Sequence, residues 1–436
     1  MTEVKLGDVA ELRGGYAFKS EQYTSAGRFV LRTVNIRDDC SITTDGATYI
    51  DEFEATEYSR FALEEEDTLF VMVGATLGKI GLIRARNLPA LLNQNMWVIR
   101  ASSGKIDPVY LHYRFRELSK VPLSWVGGSA RGFLRRDDVR NLTFELPSMD
   151  VQVAIGQLLR SIDDKIELNR RMNETLEAMA QAIFRDWFVD FGPTRRKLDG
   201  ATDPVTIMGG LVDDPARAQD LADVFPATLG NDGLPEGWLD GDLSHYAQLN
   251  SESWTARSAP GEVEYVDLAN TKWGLIEATT RYDWADAPSR ARRIVKRGDT
   301  IVGTVRPGNG SYSFIGTDGL TASTGFAALR PKSLCDAALV YVAVTTSSSI
   351  ERLEKLADGG AYPAVRPEVV LATPLTVVPV EITKGFSALC NPLLELAEHN
   401  KLENQTLAAT RDLLLPKLMS GEIRLGEARD IVEAAE

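Results

Sequence analysis

The side chains able to do chemistry are few and scattered. The 436 residues hold three His and three Cys. Cys40, Cys335 and Cys390 lie far apart, and His112, His245 and His399 never fall near them. That spacing excludes a zinc finger, a redox pair and a disulfide framework, and free cysteines fit a reducing compartment. Gly74-Ala-Thr-Leu-Gly78-Lys79 resembles a phosphate loop, but it is one residue short, and Ile80 stands where a Mg²⁺-ligating hydroxyl belongs. Asp190-Phe191-Gly192 has no catalytic-loop motif or glycine loop beside it. Asn391-Pro392 lacks the following Pro and aromatic residue that grip a flipped base, and no G-x-G-x-x-G follows a strand. So few imidazoles make general-base catalysis by His a poor fit. The residues therefore predict no active site, no metal site and no cofactor.

Arginines and amides remain. Lys79, Arg84, Arg86, Arg131, Arg135, Arg136 and Arg140 lie in the first third of the chain, and Arg281, Arg290, Arg292, Arg293, Lys296, Arg297 and Arg306 cluster in the second half, with Tyr362 and Arg366 beyond them. Arginine reads guanine and phosphate, while Asn or Gln reads adenine, a role open to Asn93-Gln94-Asn95. Any one of these side chains is more often solvated or internally paired. As clusters they fit contact with phosphates or bases.

An internal repeat places these residues. EDTLFVMVG around Asp67 returns as GDTIVGTVR around Asp299, NQNMWVIRA as STGFAALRP, GGSARGFLRRDDV as GGAYPAVRPEVV, and NRRMNETL as NKLENQTL. The order is kept and the offset is nearly constant, with Arg135 over Arg366. Four ordered matches are not plausibly chance, so the chain is one unit written twice. Each copy opens with a globular part (1–147 and 237–380) in which short Val/Ile/Leu/Phe runs read as strands.

A long helix follows each globular part, over 148–191 and 381–423. In the first, Ile155, Leu158/Leu159, Ile162, Ile166, Met172, Leu176, Met179, Ile183 and Trp187 form a stripe. In the second, Pro392 is expected to kink the helix and Pro416 to break its last turn. Two such stripes predict an antiparallel coiled coil, with Asn169 and Asn400 as candidates for fixing register. The Gly/Pro/Asp-rich 192–236 reads as an ordered connector or surface strap, and 424–436 as a tail. The fold class is thus α+β: two mixed globular parts separated by two long antiparallel helices, with a pseudo-twofold repeat. Paired helices holding two non-identical domains can act as a measuring device, which suits a bipartite duplex DNA site.

The formal charge of −14 weighs against a protein that binds nucleic acid by overall basicity. Yet eleven of the fourteen excess negative charges fall outside the two globular parts. Such a chain should grip DNA weakly alone. No apolar stretch is long enough to span a membrane, and the start lacks a signal-peptide core, so a soluble cytoplasmic protein is expected.

AIFRDWFVDFGPTRRKLDG (182–200), after VQVAIGQLLRSIDDKIELNRRMNETLE, resembles the central conserved region of type I restriction–modification specificity subunits. LLLPKLMSGEIRL (413–425) is similar to their C-terminal region, and VKLGDVAELRGGYAF and PEGW (235–238) to the starts of their two target-recognition domains. The resemblance implies a non-catalytic subunit whose domains each read half of an asymmetric site. Its helices would dock two methyltransferase subunits, with separate restriction and translocase subunits joining them. Trp187 and Phe188, with Leu418 and Met419 in the second copy, are the candidate docking residues. The helix-start motif departs from the family: LPSMDVQVA keeps a Gln that VVPVEITKG lacks. A stand-alone coiled-coil adaptor is the alternative reading.

Overall fold

The computed structural model describes residues 2–121, 135–212 and 214–434. Its contacts divide the chain into two compact units, Met1–Ile166 with Gln405–Glu436, and Glu167–Asn404.

Each unit is built around the same two sheets. In the first, strand Met96–Ala101 lies between Ala10–Gly14 and Thr68–Val71, with Ile80–Leu82 at the edge, all antiparallel. In the second, Phe326–Pro331 lies between Ala247–Leu249 and Thr300–Gly303, with Tyr312–Phe314 at the edge. The other sheet is marked by one parallel pair. Arg28–Leu31 runs beside Ala90–Leu92 in the first unit, and Glu262–Val266 beside Leu320–Ser323 in the second. The duplicated runs DTLFV and DTIVG form central strands buried on both faces, hence their continuous apolar character. The motif's acid has a structural task in both copies. Asp67 is buried and accepts from Arg100 at 2.7 and 2.5 Å, and Asp299 from Arg330 at 3.0 and 2.9 Å.

The first long helix runs unbroken from Met149 to Phe184, about 54 Å at 1.5 Å per residue, and ends in a π turn, Arg185–Val189. The second runs from Val380 to Ser420. Neither proline ends it, contrary to the expectation for Pro416. At Pro392 the cause is visible: the ring leaves the Ala388 carbonyl without its helical donor, and Arg217 donates to it at 3.0 Å.

Within each unit the two helical segments run antiparallel. Asn169 donates to Asn404 (3.0 Å) and Glu403 (2.6 Å), while Asn173, further along, donates to the earlier Ala397 carbonyl (3.1 Å). In the first unit Asp163 accepts from Arg411 at 2.6 Å and from the Tyr113 hydroxyl at 2.6 Å. Met172 and Met179 do not join the seam as the stripe suggested. They are 38% and 47% exposed, and the inward positions fall instead to Asn169, Asn173, Leu176 and Ala180.

The missing Gln of the second helix start has been replaced. Gln152 is buried, accepts from the Asp107 amide (2.9 Å) and donates to the Pro147 carbonyl (2.8 Å), tying the long helix to helix Pro108–Leu118. In the second copy Asn391 accepts from the Ala338 amide (3.2 Å) and donates to the Leu334 carbonyl (3.2 Å). The connector is an ordered strap of three short helices, Gly192–Leu198, Pro204–Ile207 and Pro215–Asp223. Arg196 clamps it through Asp186, with both bonds at 2.8 Å.

Candidate nucleic-acid interface

The second unit brings Arg306, Tyr362 and Arg366 together. Strand Thr300–Gly303 runs out into Thr304–Arg306, which lies against Pro363–Val365: the Arg306 amide donates to the Pro363 carbonyl (2.7 Å) and the Val365 amide to Thr304 (2.9 Å). Arg306 takes a left-handed backbone (φ 48°) to open the turn Pro307–Asn309. Its guanidinium lies 4.6 Å over the Tyr362 ring, a cation–π stack, and donates to the Ala361 carbonyl at 2.7 Å. Both side chains are exposed, Tyr362 at 71%. Arg366 immediately precedes helix Pro367–Leu371 and is exposed.

The first unit repeats one corner of this arrangement. Arg135 immediately precedes helix Arg136–Arg140, the counterpart of Pro367–Leu371, and both Arg135 and Arg136 are exposed. No hydrogen bond or ion pair joins the side chains of Arg135, Arg281, Arg290 or Arg366 to another of the described residues. These guanidiniums can meet phosphate or base edges without breaking an internal pair. Arg86, Gln94 and Asn95 are exposed too, with Asn95 at the positive-φ position of a turn (φ 71°). Arg131 lies outside the described residues.

Other candidates are corrected by their surroundings. Lys79 is held by Asp38 at 2.8 Å, which turns its ammonium away from any phosphate role for the Gly74–Lys79 turn. Arg84 pairs with Asp164 at 3.0 Å and is 15% exposed, so it fastens the first globular part to its helix. Asn93 is buried and donates to the Tyr23 hydroxyl at 2.9 Å, which leaves Gln94 and Asn95 as the amides of that trio open to solvent. Arg292 stacks 4.3 Å over Trp284. Arg293 is half-buried and donates to the Ser253 hydroxyl at 3.2 Å, and burial pulls its pKa down.

The docking residues are corrected in the same way. Trp187 is fully buried and Phe188 nearly so, ringed by Phe225, Trp238 and Phe386. Leu418 and Met419 are buried in the core of the first unit. These four build the chain's own core and offer no surface to a partner. Asn169 and Asn400 are buried at the helix pair, Asn400 donating to Asn173 at 2.8 Å.

Sequence reasoning missed the buried group that seats the second globular part on the helices. Glu177 accepts from the Tyr341 hydroxyl at 3.0 Å, and Lys401 donates to the Gly274 carbonyl at 2.6 Å and to Glu398. Burial holds both the Glu177 and the Glu398 carboxyl above the usual range, against the lowering pull of Tyr341 and Lys401 on Glu177 and of Lys401 on Glu398. Nothing in a helical charge pattern separates these carboxylates from solvated ones. Among the described residues, no group of three or more His, Cys, Asp or Glu could hold a metal, and no helix is long and apolar enough to cross a membrane.

The duplicated fold thus carries an exposed, anchored arginine edge in its second unit. The family model for the Type I restriction modification DNA specificity domain matches residues 1–178. The chain is 26% identical over 337 residues to the HindI type I restriction enzyme specificity subunit of Haemophilus influenzae, covering 66% of this chain and 70% of that one. It is 22% identical to the MjaIX specificity subunit of Methanocaldococcus jannaschii, covering 80% and 76%. In fold it matches the crystal structure of a type I restriction–modification S subunit from M. genitalium, with a TM-score of 0.55 at 13% identity over 96% of this chain and 95% of that one. Residues 1–178 thus match the type I restriction modification DNA specificity domain, and over most of its length the chain is similar to type I restriction enzyme specificity subunits.

Proposed function

We propose that the chain directs other subunits to DNA without itself catalysing a reaction. The globular parts 1–147 and 237–380 each read one half of a bipartite duplex site. The helices 148–191 and 381–423 act as the ruler between them, the connector 192–236 braces the second part, and 424–436 is the tail. Two methyltransferase subunits dock on the helices, and restriction and translocase subunits join that assembly. The chain needs no cofactor of its own and works in the cytoplasm.

The observation that carries this reading is the repeated arginine. Arg135 and Arg366 fall at the same place in two copies of one fold, each exposed just before a short helix. A solvated arginine has no reason to recur there, whereas a phosphate or base contact made once per half-site does. With Trp187 and Phe188 in the core, docking passes to an exposed flank of the first helix. Leu168, Met172 and Met179 stand exposed together there, beside the buried seam.

The test uses the chain reconstituted with its methyltransferase subunits. Arg135→Ala and Arg366→Ala should each lower affinity for the host's modified site by about tenfold, a loss of about 1.4 kcal/mol. Unchanged binding and methylation at physiological salt in both variants would reject these roles.

A further inference from the structure

Beside the arginine edge of the second unit stands a tryptophan in the wrong place for its residue type. Lys272 and Leu275 pair across a two-residue hairpin whose central residues are Trp273 and Gly274. Both have positive φ, 47° and 80°. A two-residue hairpin with both central φ values positive is the turn that Asn-Gly or Asp-Gly makes without strain. An indole with a Cβ in that first position is disfavoured. Left-handed non-glycine residues persist where the surroundings force them, and they gather at functional sites.

The surroundings here force it from two sides. The Trp273 amide donates to the Gly310 carbonyl at 2.6 Å, and the Gly274 amide to the Tyr312 carbonyl at 3.0 Å. The Gly274 carbonyl accepts from both Lys401 (2.6 Å) and the Ser313 hydroxyl (3.0 Å). Gly310 gives the indole room: a Cβ there would come within 2.6 Å of the ring. The indole also meets Tyr312 edge-on at 6.1 Å. Despite all this support, Trp273 is 60% exposed. A residue held so firmly yet turned outward is being presented.

What it is presented to follows from its neighbours. Gly310 closes the same short turn that Arg306 opens, so the indole shares one small turn with the Arg306–Tyr362 stack. Lys272, also exposed, precedes it. The first unit has the opposite chemistry at the equivalent turn, between the bridged Ile36 and Ile42. Its tip is Arg37-Asp38-Asp39-Cys40, again with a positive φ (71° at Cys40), and Asp38 is paired with Lys79. The copies thus diverge at this tip: acidic and internally paired in one, aromatic and basic in the other.

We infer that Trp273 is an apolar wedge of the second recognition domain, held against the duplex at its half-site beside Arg306. An aromatic or apolar wedge flanked by cations stacks on, or partly opens, a base step and makes the reader sensitive to how easily that step deforms. This inference rests on the DNA-reading role proposed above, and it predicts that the two half-sites are read by different devices.

Trp273→Asn is the decisive variant, because Asn is the residue the turn prefers. The chain carrying it, assembled with the methyltransferase subunits, should keep its melting temperature and its assembly. It should bind the host's modified site at least about tenfold more weakly, while a duplex of scrambled sequence is bound as by the parent. Cognate binding within twofold of the parent would overturn the inference. So would a fall in melting temperature or a failure to assemble that Trp273→Phe reverses together with binding, which would make the indole a packing or protein-contact residue. Arg306→Ala with Arg366→Ala, assayed beside it, separates the two ideas. Loss in Trp273→Asn alone would sink the arginine reading and leave the wedge, and loss in the arginine pair alone would do the reverse.

Discussion

At the scale of single residues, partners decide what a charged side chain can do. Arg100 and Arg330 look like surface arginines in the sequence, yet each is bound to a buried aspartate. Asp299 holds Arg330 through both carboxylate oxygens, and these bonds push the Arg330 pKa up against burial. Arg330→Met strands that carboxylate and should cost about 3 kcal/mol, read as a lowered denaturant midpoint, with the same sign for Arg100→Met. Glu177 gives a pH-dependent case. Burial raises its folded pKa, so its ionised form is disfavoured in the native state. Stability is lost as pH rises from the ordinary carboxylate range through the raised value. Glu177→Gln keeps an acceptor for Tyr341 and should raise the melting temperature at neutral pH, the gain vanishing below about pH 4. A gain that persists in acid would contradict the burial argument. The repeat exposed Asp67 and Asp299 in the sequence, but not which arginine each would hold. Lys79, Arg84 and Asn93 looked free because their partners Asp38, Asp164 and Tyr23 lie far from them in sequence or on another element.

At the scale of elements, periodicity located both long helices and one apolar side of each. It failed where the seam is polar. The expected Asn169 and Asn400 lie in it, but Asn173 joins them, and because its cross-helix bonds are invisible to hydropathy, Met172 and Met179 read as inward although both are exposed. Asn400→Ala removes a buried bond and leaves Asn173 short of a donor. It should lower stability by about 1–2 kcal/mol, measurable by thermal melting. Proline was the other misleading signal. A helix continues through Pro392 when another group satisfies the released carbonyl, here Arg217 of the strap. Arg217→Ala should lower the melting point only slightly, since that bond is exposed, and should raise proteolytic nicking around residue 388. The duplicated sheets were legible because DTLFV and DTIVG keep strand patterning. The aromatic core around Trp187 was not, because Phe225, Trp238 and Phe386 reach it from three separate segments.

At the scale of the whole molecule, charge and length carry the argument. The globular parts are close to neutral with local arginine edges, while the helices, connector and tail hold most of the excess acid. The chain alone should therefore bind duplex DNA weakly. The complete complex should bind far more tightly, with a steeper loss of affinity as salt rises, because its partners supply further phosphate contacts. Lengthening both helices by one heptad adds about 10 Å and should lengthen the preferred spacer by about three base pairs. The most direct measurement is the genome-wide pattern of methylated bases in the host with and without this chain. The account predicts marks at two short half-sites separated by a fixed, non-specific spacer, all lost when the chain is removed. An unbroken target sequence, or marks that survive its removal, would contradict it.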